Sequence, residues 1–279
     1  MSEDKPSKTR IWLAEMRAPF LTGAIVPVIL GTCVAWASSG IFLLDVFLLT
    51  LLAGIFVHIG SNVANDYFDH KSGTDDINVD YVRPFTGGSR MIQRGWMSPR
   101  EVFVEAIVFF SLGGGIGVYL AYTRGWEVLL LGIIGVGSGF FYTAPPFRFV
   151  HRGYGEVFIG LNFGVLMTLG AYFVQTQTLS WEAVFPSIPI AILITAILYI
   201  NEFPDYDADK AVGKLTFVVR VGRARAAKGY AILMAFVYLS ILLPILLNLT
   251  NWYTILGVTT FPLAVLAIRY AFTHYDQSL

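Results

Sequence analysis

The sequence predicts an all-α protein, a multi-span transmembrane helical bundle, and three observations carry that prediction. Hydrophobic residues make up 56% of the 279-residue chain and charged residues only 14%. The mean hydropathy of +0.65 lies beyond the range of soluble domains. Apolar runs recur at about the 20-residue length that a helix needs to cross roughly 30 Å of hydrocarbon. Strand alternation is absent, and lipid offers no partner to an unpaired backbone amide, so helices are the expected spanning structure.

Eight spans are expected, at approximately 19–38, 41–62, 102–122, 126–144, 156–176, 183–202, 229–248 and 252–272. The polar segment before them reads as a lead-in and an interfacial helix, with Trp12 and Arg17 as headgroup anchors. No cleavable signal peptide is expected, because the first apolar run is long enough to remain as a span. Pro19 and Pro27 predict an irregular first span. In the second, His58 lies one turn before Asn62 and is expected to hydrogen-bond it or nearby backbone. The 70–100 connection is too long and polar to be a mere linker. Spans three and four carry GGGIG and GIIGVGSG, patterns suited to close helix packing. Pro145–Pro146 ends the fourth, leaving Tyr142 at the membrane rim with Arg148, His151, Arg152 and Glu156 just beyond. Asn162 in the fifth is expected to bond across helices. Cys33, the only cysteine, excludes a disulfide within the chain and reads as a small core residue. The last two spans carry no legible chemistry, and the chain reads as one membrane domain over residues 1–279.

Charge distribution orients the bundle. Lys5, Lys8, Arg10 and Arg17 precede the first span, and Lys71, Arg83, Arg90, Arg94 and Arg100 follow the second. Arg148 and Arg152 follow the fourth, Lys210, Lys214, Arg220, Arg223, Arg225 and Lys228 follow the sixth, and Arg269 lies near the C-terminal end. Of the 19 Lys and Arg, only Arg124 falls on the other side. The positive-inside rule therefore expects the N-terminus and the working face on the cytoplasmic side of the cytoplasmic membrane. No nucleic-acid partner is expected.

Two polar stretches stand where apolar runs meet this face: Asn62 to Asp75, NVANDYFDHKSGTD, and Asn201 to Lys214, NEFPDYDADKAVGK. If helix continues through them, Asn62, Asn65/Asp66 and Asp69 share one face, as do Asn201, Asp205 and Asp209. Crowded carboxylates resist burial without a cation among them, and hard oxygen ligands at open spacing suit Mg²⁺ that shares its shell with substrate phosphates. The implied ligand is a magnesium diphosphate; the alternative is solvated loop charge. Asn62, Asp66, Tyr67 and Lys71 are echoed by Asn201, Asp205, Tyr206 and Lys210, as in a pseudo-symmetric bundle. Between the motifs, RPFTGGSRMIQRG offers Gly87–Gly88 for close backbone approach and Arg83, Arg90 and Arg94 as phosphate donors. It reads either as a lid over the diphosphate or as topology charge. Tyr142 is placed to face a cationic intermediate or an aromatic acceptor, although tyrosine is common at this depth.

With both motifs in place, the chain resembles the UbiA superfamily of intramembrane aromatic prenyltransferases over essentially its whole length. NDYFDHKSGTD and DYDADKAVGKLT are most similar to the branch that prenylates 1,4-dihydroxy-2-naphthoate in menaquinone biosynthesis. The family's N-x-x-x-D-x-x-x-D motif falls on Asn65, Asp69 and Gly73, with the third acid displaced to Asp75 as in that branch; the second motif matches at Asp205 and Asp209. The resemblance implies a bundle around a central cavity, with Mg²⁺ held by Asp69, Asp75, Asp205 and Asp209. It implies a polyprenyl diphosphate donor with its tail toward membrane lipid, and an aromatic quinone precursor as acceptor. Asp66, Asp69, Asp205, Asp209 and Tyr142 are then the catalytic candidates. Asn62, Asn65, Lys71, Arg83, Arg90, Arg148, Asn201, Lys210 and Lys214 are the substrate-binding ones, with Asp66 or Asp80 on the acceptor side. The family has nine transmembrane helices, and the shortfall against eight falls after Tyr275. The alternatives are another acceptor, either a different quinone precursor or a chlorophyllide, and a transporter with an acidic site at its cytoplasmic rim.

Overall fold

The structure, a computed structural model, describes residues 6–79 and 81–275; Lys5 and Asp80 lie outside the described residues. A short interfacial helix α1 (Lys8–Glu15) leads into a 3₁₀ turn at Ala18–Leu21 and then α2 (Thr22–Ser39). The irregular entry follows from Pro19, as the sequence predicts. Helix α3 (Leu44–Ser72) runs 29 residues and stops at Gly73, whose φ of 81° needs a residue without a Cβ. After α4 (Thr74–Ile77) and a folded loop comes α5 (Pro99–Arg124), opened by a capping box between Ser98 and Glu101. Helix α6 (Glu127–Phe140) is followed by α7 (Gly155–Ile159), a π-helical stretch at Gly160–Leu166 and α8 (Met167–Thr176). Helix α9 (Trp181–Ala211) is the longest at 31 residues. Then follow α10 (Phe217–Val221), α11 (Arg223–Leu246), a 3₁₀ segment at Trp252–Thr260 and α12 (Phe261–His274).

Among the described residues, seven helical runs are long and apolar enough to cross a membrane: Ala18–Ser39, Leu44–Ser72, Pro99–Arg124, Gly155–Thr176, Trp181–Asn201, Arg223–Leu246 and Trp252–His274. Each matches an expected span. The segment expected at 126–144 does not, because its helix holds only 14 residues. At 1.5 Å per residue it is about 21 Å long, short of the hydrocarbon thickness. Glycines weaken this helix throughout, and the chain leaves it at Phe141, before the proline pair.

Packing divides the bundle around its centre. One cluster joins α1, α3, the 91–97 loop and α5 through Ile11, Ile59, Val63, Met91, Met97 and Val102. A second joins α9, α11 and α12 through Tyr199, Phe203, Tyr230, Met234, Val237 and Ala264. Helices α2 and α8 close the gap, with Gly31 packed on Thr168 and Ala171. The two glycine patches are used sparingly: Gly113 lies against Val57 and Gly139 against Ser61, whereas Gly114, Gly115, Gly117, Gly132, Gly135 and Gly137 face open space. Cys33 is exposed on α2 rather than in the core.

The end of the bundle with the short loops is tied together by polar side chains. Gln175, 1% exposed, accepts from Leu43 N at 2.7 Å and donates to Leu43 O at 3.0 Å. Arg124 donates to the carbonyls of Val174 and Gln175, at 2.5 and 2.9 Å. Its charge therefore serves the C-terminal carbonyls of α8, which explains the one basic residue that breaks the charge asymmetry.

Candidate active site

Helices α3 and α9 are about 44 and 46 Å long at 1.5 Å per residue, so each carries its last turns past the apolar layer. Those turns hold the two polar motifs, and both line one cavity of about 400 Å³. From α3 and α4 come Asn62, Asn65, Asp69 and Asp75; from α9 come Asn201, Asp205 and Asp209; Tyr142 and Lys214 complete the expected set. Asp69 and Asp205, from opposite halves of the bundle, thus face the same chamber. Lys214 joins the two motifs physically, with Nζ 3.3 Å from Asp69 Oδ2 and 3.4 Å from Asp209 Oδ1. Asn78, just after α4, ties that segment to α9 by donating to Asp205 Oδ1 at 2.7 Å.

Six expected residues do not line the chamber. Asp66 turns behind it, accepting from the backbone N–H of Ser89 at 2.7 Å and facing Arg17 at 3.4 Å. Arg83 donates to Ser89 O at 3.2 Å and Arg90 donates to Asp75 O, while both guanidinium groups lie near the Tyr81 ring. These arginines hold the loop in shape, and the loop presents Phe85, Thr86, Gly87 and Gly88 to the cavity instead. Gly88 needs its hydrogen: a Cβ there would stand 2.9 Å from Asp66 Oδ1 and 3.1 Å from Asp75 Oδ2, at φ +68°. Arg148 is exposed outside the chamber. Lys71 and Lys210 are exposed too, and each lies over the tyrosine four residues before it, at 5.8 Å from Tyr67 and 5.5 Å from Tyr206. The internal echo read in the sequence is therefore also an echo of geometry.

Other site residues escaped the sequence reading. Arg17, expected at the headgroups, lines the cavity and donates to Phe85 O at 3.4 Å. Its left-handed backbone, φ 53°, breaks the chain between α1 and the first span. Asn78, Thr86 and Glu202 also line the chamber; no periodicity marks the first two, and Glu202 sits unmarked inside a motif read for its aspartates. Glu15, 0% exposed, receives the Ser89 hydroxyl and so fastens α1 to the loop. His58 lines the cavity with its ring 4.4 Å from that of Phe163. Its expected bond to Asn62 is not formed: His58 Nδ1 and Asn62 Nδ2 are both buried without partners. Asn162 does bond across helices, accepting from Ser138 Oγ at 2.9 Å.

Electrostatics in the chamber is that of carboxylates short of counter-charge. Burial pushes Asp75 up to about 9, and Asp69 and Asp66 add to the shift. Burial likewise raises Asp209 to about 7, against the pull of Lys214. Asp205 is raised by burial and partly restored by its bond from Asn78. Burial works against the Lys214 ammonium, yet Asp209 and Asp69 together hold it well above the usual lysine range. His151 is lowered to about 4 by burial and by Lys214, so it is neutral near pH 7.

Such a donor set fits Mg²⁺. Among the described residues no three His, Cys, Asp or Glu side chains converge as a ready-made cage. Magnesium commonly binds through one or two carboxylates and completes its shell with water and substrate phosphates. Asp209 Oδ1 makes no hydrogen bond although Lys214 stands within ion-pair range, leaving a buried oxygen open for coordination.

A family model described as the UbiA prenyltransferase family matches residues 24–279. The chain belongs to this family. It is accordingly an integral membrane prenyltransferase with an all-helical fold. Among UbiA relatives, it is 31% identical over 274 residues to the 2-carboxy-1,4-naphthoquinone phytyltransferase of Synechocystis sp., covering 98% of this chain and 86% of the relative. It is 30% identical over 282 residues to the 1,4-dihydroxy-2-naphthoate octaprenyltransferase of Escherichia coli, covering 99% and 89%. A solved UbiA homologue from Archaeoglobus fulgidus, bound to GPP and Mg²⁺, superposes with a TM-score of 0.67 at 18% identity, over 94% of this chain and 86% of that one. That likeness shows the UbiA fold.

Proposed function

We propose that the protein transfers a polyprenyl group from its diphosphate to an aromatic acceptor of the 1,4-dihydroxy-2-naphthoate class, with Mg²⁺ as cofactor and loss of the acceptor's carboxylate. One observation carries this reading: two acidic motifs from separate helices line a single chamber and are joined through one buried lysine. The naphthoate-directed relatives, aligned over almost the whole chain, support the acceptor class.

Asp69, Asp75, Asp205 and Asp209 are the residues that would hold Mg²⁺, which when bound neutralises the diphosphate oxygens and so favours its departure. Lys214 presents a fixed ammonium to the same oxygens, and Arg17 lines the chamber as a second cation. Asn62, Asn65 and Asn201 offer amide groups to the bridging and terminal oxygens. Ile194, Ile197, Leu198 and Phe163 line the deeper wall, where the prenyl chain is accommodated and water is excluded from the allylic carbon. Tyr142 also lines the chamber, where its phenol ring would face the positive charge that develops on that carbon. The basic face of the bundle supports a cytoplasmic position for this chamber.

The test is an acceptor panel with one polyprenyl diphosphate, scored by product mass, with and without Mg²⁺. Prenylated, decarboxylated product from dihydroxynaphthoate, abolished by chelation and by Asp69→Asn or Asp205→Asn, is the expected result. Product from a different ring alone would overturn the acceptor class, and undiminished transfer by both variants would overturn the site.

A further inference from the structure

The cavity face of α9 is ordered by chemistry. Ile194, Leu198, Asn201, Glu202, Asp205 and Asp209 follow one another along it, all of them lining the chamber. The apolar residues lie at one end and the aspartates at the other. A prenyl diphosphate has the same polarity, and its reacting carbon is the junction between chain and diphosphate. Held along this face, that carbon comes level with Asn201 and Glu202, about 4.5 Å along the helix axis from Asp205. The acceptor ring must reach the same level to react.

Glu202 has no role in the steps derived above, yet it is 4% exposed and lines this level of the cavity. One of its oxygens is spent on structure: Oε2 accepts from Val218 N–H at 3.4 Å, while Glu156 Oε1 accepts from the neighbouring Phe217 N–H at 2.8 Å. The two carboxyl groups therefore cap the start of α10 together. Burial raises the Glu202 carboxyl above the usual range, and the neighbouring Glu156 charge raises it further. Capping accounts for one oxygen of each glutamate. Glu202 Oε1 receives no donor from the protein. A buried acceptor left unpaired is costly, and the group that satisfies it here must bring an O–H or N–H into the chamber. Asp205 already accepts from Asn78, and Asp209 stands beside the Lys214 ammonium as one of the residues that would hold Mg²⁺.

We propose that Glu202 is the proton acceptor for the ring hydroxyl of the aromatic acceptor, with Glu156 as its neighbour at the α10 cap; this rests on the aromatic-acceptor reading above. The O–H bond breaks, its proton passes to Glu202, and the oxygen electron pair moves into the ring. The ring carbon then forms its bond to the allylic carbon as the C–O bond to diphosphate breaks, and diphosphate departs with that electron pair. Carbon dioxide leaves the same ring carbon, its bonding pair returns through the ring to oxygen, and the oxygen takes the proton back. Glu202 thus lends a base without net proton uptake.

The experiment compares native enzyme, Glu202→Gln and Glu202→Asp on a series of ring-fluorinated hydroxynaphthoates and on the methyl ether of the acceptor. Glutamine keeps the shape and the bond to Val218 but takes no proton. Its kcat is expected to fall by about 10²-fold or more, with KM for the prenyl diphosphate within about threefold. The deficit is expected to shrink as fluorination makes the hydroxyl more acidic, and Glu202→Asp to recover part of the loss. A purely structural glutamate would give a constant deficit, with aspartate the poorer replacement; either result, or a kcat within about twofold of native, overturns the assignment. The native enzyme supplies a measurement that does not depend on a variant folding: the methyl ether, having no proton to give, is expected to inhibit without being prenylated, and its ready prenylation overturns the proposal. Native enzyme that prenylates no hydroxylated ring at all would instead overturn the acceptor reading.

Discussion

Lys214 and Lys71 each belong to one of the two acidic motifs in the sequence, yet the fold gives them different work. Lys214 is 8% exposed and bridges Asp69 and Asp209, whereas Lys71 is exposed over Tyr67. Lys214→Gln leaves two buried carboxylates without their shared cation, and breaking such pairs costs about 3 kcal/mol or more. Its transfer rate at limiting prenyl diphosphate is expected to drop about 10²-fold, with a lower melting temperature in detergent. Lys71→Gln is expected to stay within about twofold of native, because an exposed cation over a ring contributes only about 0.5–1 kcal/mol. Steady-state kinetics on the two variants side by side checks both. Asp69, Asp75, Asp205 and Asp209 were legible because oxygen ligands recur at helical spacing. Arg17 was not, because an arginine before a first span is what positive-inside topology also produces.

Among the elements, the run Gly155–Thr176 shows best how packing overrides a simple span. Its π-helical stretch carries Phe163 into the cavity wall and Asn162 toward Ser138, and such stretches often accompany functional sites. What allows it to sit against α9 is Gly164, where an added Cβ would overlap the backbone of Ala191. Gly164→Leu is therefore expected to separate α9 from this run and to cost several kcal/mol by overpacking. Loss of the monodisperse detergent-solubilised protein, or a melting temperature lower by roughly 5 °C or more, checks it. Gly132→Leu, at a position facing open space, serves as the matched control with little change. Existence and rough position of each apolar helix were legible from hydropathy. The early end of α6 and the π register were not, because both depend on which neighbour a residue meets.

For the whole molecule, the charge asymmetry and the fold agree on two different ends. Loops near Leu43, Arg124 and Gln175 are knitted into one end by their hydrogen bonds, and the acidic chamber opens toward the other. In a Cys33→Ser background, Thr178→Cys is expected to react with a membrane-impermeant maleimide on intact cells. Lys210→Cys is expected to react only after the membrane is opened. The reverse pattern would place the chamber outside the cytoplasm. The echo between α3 and α9, down to a lysine over a tyrosine in each, supports a bundle built from two related halves facing one cavity.

By itself the sequence determined that this chain lives in a membrane, which stretches are apolar helix, and which two motifs supply the carboxylates of its chamber. Those properties are local, written in the solubility of each segment and the spacing of a few oxygens. Only the tertiary structure decided that Arg17 and Lys214, rather than the loop arginines, supply the chamber's cations, and that Glu202 rather than Asp66 lines the chamber. Such choices depend on which helices approach one another and on what each buried polar atom finds to pair with, and residues far apart in the chain settle them.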